Sequence, residues 1–70
     1  MQEIKISSEF IKLDQFLKWA GVVDSGVDAK YFITEGMVEV NGEIELRRGK
    51  KLYPGDKVKF QGEEFLVLGQ

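Results

Sequence analysis

The chain has 70 residues, 43% of them hydrophobic and five of them Phe, which is enough for one small domain with a marginal core. It has no Cys and no His, so disulfides, thiolate metal sites and the side chain best suited to titrate near neutrality are all absent. The formal charge of −2 hides an asymmetry. Four of the ten basic residues lie in Arg47-Arg48-Gly49-Lys50-Lys51, which leaves six basic against twelve acidic residues, a net of −6, elsewhere.

No apolar stretch of signal-peptide length follows Met1 and no run approaches the ~20 apolar residues of a membrane span, so a cytoplasmic protein without membrane contact is expected. Glu3 to Ser7 alternates, with Ile4 and Ile6 on one side, and predicts a first strand. From Leu13 the period changes. Leu13, Phe16, Leu17 and Ala20 form an apolar stripe on a short helix that Gly21 can end. Ser25 opens a second helix, with Asp28 at capping-box spacing, a buried stripe of Ala29, Phe32 and Ile33, and Gly36 just past its end. The two helices make a compact corner.

The remainder is β. Val38 and Val40, then Ile44 and Leu46, flank Asn41-Gly42, the strongest short hairpin signal, and are expected on the hairpin's apolar side, with Glu43 and Glu45 alternating onto a solvated face. Tyr53-Pro54-Gly55-Asp56 has Pro and Gly where a type II turn favours them. Lys57 to Phe60 and Phe65 to Leu68 close the chain around a turn at Gly62. The order β-α-α-β-β-β-β predicts an α+β domain over residues 1–70, two short helices packed on a small, mostly antiparallel sheet.

From Lys12 to Asp56 this order resembles the S4 RNA-binding domain. Lys12-Leu13-Asp14, with Leu17 after it, matches the family's basic-Leu-Asp opening. Ser25, Gly26, Ala29 and Lys30 stand where the family has Ser-Arg and Ala-Arg. Gly36-Met37-Val38-Glu39-Val40-Asn41-Gly42 matches the Gly-x-Val-x-Val-Asn-Gly hairpin, and Gly55-Asp56 a Gly-Asp before a late strand. Gly26 and Lys30 depart from the family's arginines. With that pair and the later Arg-Arg-Gly-Lys-Lys, the chain is similar to short stand-alone members called YaaA-like. The resemblance implies the alpha-L corner, RNA binding and a part in large-subunit ribosome assembly.

The candidate contacts follow from charge and from family position. Arg47, Arg48, Lys50 and Lys51 come first, because guanidinium grips phosphate bidentately and Lys adds a point charge. Gly49 is expected to let that cluster turn tightly. Lys12 and Lys30 are next, by family position, against the plainer reading of exposed helix lysines. Gly26 leaves the amides of the second helix open to a phosphate or simply fits a tight corner. Tyr31 lies off the buried stripe beside Lys30 and is a stacking candidate. Trp19 and Tyr53 could stack on unpaired bases in the same way but are expected to be partly buried, and Asp14 and Asp56 are expected to be structural.

No nucleophile–base pair, metal-ligand cluster or phosphate loop is visible, so neither an enzyme nor a cofactor is expected. The reading is a non-catalytic module that docks on structured RNA, ribosomal RNA foremost, through a basic patch set against an acidic opposite face. A monomer is expected, with ribosomal proteins or assembly factors as further partners. Two alternatives stand beside it. One is a protein-interaction module using the same patch or a sheet edge. The other, a β-grasp sulfur carrier, lacks the Gly-Gly terminus its chemistry needs, since this chain ends Leu68-Gly69-Gln70.

Overall fold

A computed structural model describes residues 1–69. Two-residue turns organise its sheet. Asn41 and Gly42 both take positive φ (52° and 86°), as a primed hairpin turn requires, and join β3 (Val38–Val40) to β4 (Glu43–Ile44). Gln61 and Gly62 do the same between β6 (Lys57–Phe60) and β7 (Glu63–Leu68). With β1 (Gln2–Lys5), these strands form a five-stranded sheet in the order β1-β7-β6-β3-β4. Every pairing is antiparallel except β1 with β7.

Alternation then sorts the faces. Val38, Val40, Val58, Phe60, Phe65 and Val67 are buried on one side. Against them lie α1 (Leu13–Trp19), through Leu13, Phe16 and Leu17, and α2 (Gly26–Thr34), through Ala29 and Ile33. Phe16 meets Phe65 edge-on with ring centroids 6.3 Å apart, and Phe32 meets Phe60 at 5.0 Å. Phe32 and Ala20, expected in the buried stripes, are only partly covered. Among the described residues no polar or charged side chain is buried.

The two-helix corner and the mostly antiparallel sheet follow the expected order, with one addition. Two-residue strands β2 (Ile11–Lys12) and β5 (Lys51–Leu52) form a small second sheet that no sequence signal marked. The first strand also begins and ends earlier than expected, although Ile6 still reaches the core and its N–H still bonds the Leu68 carbonyl.

The edge strand corrects a second expectation. In the β3–β4 ladder Val40 faces Glu43 and Glu39 faces Ile44. Directly opposed residues share a face, so the inward Val38 and Val40 turn Glu43 and Glu45 towards the core side and Ile44 and Leu46 away from it. Ile44 is 63% and Leu46 56% exposed, whereas the Glu45 side chain is only 14% exposed. The outward sheet face is likewise mixed, not acidic. Lys59 stands opposite both Glu39 and Glu64.

Asn41 and Asp56 tie the turns together. Asp56 carboxylate oxygens accept from the Tyr53 N–H (2.8 Å) and the Asn41 side-chain amide (3.1 Å), and the Asn41 side-chain oxygen accepts from the Lys57 N–H (2.9 Å). Gly55 takes φ 99° at the third position of that turn, as a type II geometry demands. Replacing Asp56 with Ala removes both bonds, and a loss of about 1–3 kcal/mol in urea unfolding is the expected result.

Candidate nucleic-acid interface

Residues 47–50 form a turn, closed by the Lys50 N–H on the Arg47 carbonyl (3.2 Å). Its glycine is not compelled by crowding: a Cβ on Gly49 would meet no atom within 4 Å, and its φ is not in the left-handed region. What fixes the turn is the first helix. The first amides of a helix have no partner within it, and Lys12, the N-cap of α1, supplies no side-chain cap. Instead the Leu13 N–H donates to the Lys50 carbonyl (2.8 Å) and the Asp14 N–H to the Arg48 carbonyl (3.1 Å). The basic turn is therefore the cap of α1, held by the helix it caps. Asp14 is occupied locally, its carboxylate accepting from the Gln15 N–H.

This docking draws distant cations together. Lys12 lies directly opposite Lys51 in the β2–β5 ladder, so the two ammonium stems leave the same face. Like charges directly opposed are unfavourable for folding. Lys51 is held beside Phe10, its Nζ 4.8 Å from the ring centroid, and that ring contacts Tyr53 at 5.9 Å. Arg48 and Lys51 are exposed and Lys50 is half-buried.

Arg47 is different. Its Nε and backbone N–H both donate to Glu45 Oε2 at 3.0 Å, and its Nη2 donates to Oε1 at 3.3 Å. The hydrogen-bonded guanidinium holds the Glu45 carboxyl below the usual carboxylate range, and Glu45 in turn raises Arg47. Among the described residues this is the one ion pair, so the patch carries three cations of the turn, and Lys12, without a carboxylate partner. A depressed acid stabilises the fold above its unfolded value and loses that contribution as pH falls through its folded one. Acidification below the usual carboxylate range is therefore expected to release Arg47, read as loss of its protected Nε–H signal by NMR, with little change in melting temperature because the Arg47 end of the pair is open to solvent, which screens it.

The α2 candidates stand apart. Lys30 and Tyr31 are exposed on that helix, and among the described residues no hydrogen bond or strand pairing links them to the basic turn. Tyr31 rests edge-on against Phe32 at 5.4 Å. Ser25 caps α2 by accepting the Asp28 N–H (3.2 Å). A Cβ on Gly26 would meet nothing within 4 Å and its φ is ordinary, so the tight-corner explanation of that glycine falls. Trp19, expected to be partly buried, is 61% exposed, tethered through its indole N–H to the Lys5 carbonyl (2.8 Å).

The space that the side chains of the basic turn share with Tyr53 is visible only in the structure. Arg47, Gly49, Lys50, Lys51 and Tyr53 line a shallow cleft of about 510 Å³. Tyr53, weighed as a stacking residue but expected to be partly buried, is 45% exposed, and the β2–β5 ladder beside it has too few residues to show a period. Among the described residues no group of three or more Asp or Glu is placed to hold a metal, and no helix is long and apolar enough to cross a membrane.

A family model described as the S4 domain matches residues 4–68. A probable ribosome maturation protein, RlbA of Bacillus subtilis, is 52% identical over 59 residues, covering 84% of this chain and 83% of the relative. A putative RNA-binding protein, YbcJ of Escherichia coli, is 38% identical over 58 residues, covering 83% of each. The solution structure of E. coli YbcJ, described as revealing an alpha-L motif involved in RNA binding, superposes with a TM-score of 0.73 at 33% identity, over 97% of this chain and 87% of that one. The 30S ribosomal protein S4e of Thermoplasma acidophilum shares the fold, with a TM-score of 0.62 at 18% identity, over 83% of this chain and 31% of that one.

Proposed function

The chain belongs to the S4 domain family, and from that premise we propose that it is a non-catalytic, cytoplasmic RNA-binding protein that docks on structured ribosomal RNA during ribosome maturation. Relatives named for RNA binding and ribosome maturation support the coarse reading. The geometry supports a particular docking surface: the α1 N-terminus and the turn that caps it, with Lys12, Arg48, Lys50 and Lys51 as phosphate contacts and Arg47 available once Glu45 is displaced.

The observation that carries this is the Lys12–Lys51 opposition. A fold that places like charges face to face is relieved when a polyanion covers them, and the phosphates of an RNA helix do so without any reading of base edges. Lys30, Gly26 and Tyr31 form a secondary flank on α2, contacting RNA only if it extends past the basic turn.

Fluorescence anisotropy with a ribosomal-RNA stem-loop tests the proposal. Saturable binding that a generic acidic polymer competes away poorly is the expected result. Equal competition by the acidic polymer favours the second reading, a protein-interaction module. One feature recommends that reading: the exposed Ile44 and Leu46 on the β4 edge, leading directly into Arg47.

A further inference from the structure

We infer that the cleft between Tyr53 and the basic turn seats one unpaired nucleotide of the bound RNA, its base stacked on the Tyr53 ring and its phosphates on Lys50 and Lys51. This rests on the RNA-binding reading above and adds to it a class of RNA, a helix interrupted by an unstacked base.

Tyr53 is 45% exposed, yet it is held by its neighbours. Its backbone N–H is bonded to Asp56, Pro54 follows it, and Phe10 supports the ring at 5.9 Å with a 45° tilt. An aromatic ring in contact with a neighbouring ring and partly open to solvent can offer a π-face at little entropic cost, since only two side-chain torsions must be fixed. The same cleft is lined by Arg47, Lys50 and Lys51, so a stacking platform and phosphate ligands share one space.

A continuous A-form helix cannot use that platform, because its bases are stacked on one another and it presents only phosphates, hydroxyls and base edges. A bulged or loop nucleotide can. The cleft volume of about 510 Å³ is ample for one nucleotide and falls within the range typical of small-ligand sites. If Tyr53 served only to cover Phe10, its ring would matter for stability and be indifferent to the kind of RNA bound.

The test uses two stem RNAs of equal length, one fully paired and one carrying a single bulged 2-aminopurine. The unmodified protein is expected to bind the bulged RNA about 5- to 150-fold more tightly, with a change in 2-aminopurine emission on binding. Tyr53→Phe keeps both effects. Tyr53→Leu, with its folding followed by thermal melts, binds the bulged RNA no better than the paired one and leaves the emission unchanged. Equal affinity of the unmodified protein for both RNAs, or a preference that survives Tyr53→Leu, overturns the inference and leaves the phosphate-docking reading intact. Binding to neither RNA removes that reading, and the nucleotide seat with it.

Discussion

Changing Arg48, Lys50 and Lys51 together to Gln is expected to abolish most RNA binding while leaving the fold in place. The three side chains are free of carboxylate partners among the described residues, and it is the backbone carbonyls of Arg48 and Lys50 that cap α1, so the substitution spares the cap. Each phosphate contact contributes about −0.9 to the slope of log K against log salt. With three or four contacts in the unmodified protein, raising salt from about 50 to 200 mM should weaken binding roughly 40- to 150-fold. In the triple variant the slope should fall to about −1, the share of Lys12 alone. Anisotropy titrations across that salt range measure both, and unchanged circular dichroism excludes unfolding as the cause. A slope that stays steep in the variant places the phosphate contacts elsewhere.

The second large effect concerns stability. Phe16 is fully buried, sits edge-on to Phe65 and links α1 to β7, an inner strand of the sheet. Phe16→Ala removes that ring and leaves a cavity that neighbours fill only in part, a loss of about 3–5 kcal/mol. A domain of this size has little stability to lose. The variant is therefore expected to be largely unfolded at 37 °C, seen as a collapse of the denaturant midpoint with an otherwise similar m-value where a transition can still be followed. Because Phe16 also sets the position of the α1 N-terminus, RNA binding falls with the folded fraction. A well-folded Phe16→Ala protein would contradict the packing described here.

The elements with strong local signals were legible from residues alone. Leu13, Phe16 and Leu17 at helical spacing gave the face that α1 buries, and Ser25 marked the start of α2 by its side-chain chemistry. Asn41-Gly42 and Pro54-Gly55 named their turns, because only certain residues take positive φ without strain. The outward Ile44 and Leu46 were misread for a physical reason. Apolar alternation alone suggests an inward face, but a two-residue turn fixes the pairing, and the pairing with inward Val38 and Val40 sends those side chains out.

The candidate site was legible as composition and hidden as geometry. The charge run at Arg47–Lys51 stood out in the chain, whereas Lys12 joined it only through a ladder two residues long. That the basic turn caps α1 through its own carbonyls leaves no mark in residue types, since any backbone carbonyl serves. Nor did the run reveal that Arg47 is already held by Glu45. Tyr53 was weighed for stacking but expected to be partly buried, and the cleft it shares with the basic turn appeared only with the fold.

The proposed docking surface for RNA is the α1 N-terminus and the turn that caps it. A ¹⁵N-labelled protein titrated with a ribosomal-RNA stem-loop tests this residue by residue. Amide shifts are expected to concentrate at Lys12 to Asp14 and Arg47 to Tyr53, with Glu39, Lys59 and Glu64 on the outward sheet face unmoved. Shifts centred on that sheet face or on the β4 edge, with the basic turn silent, would contradict it.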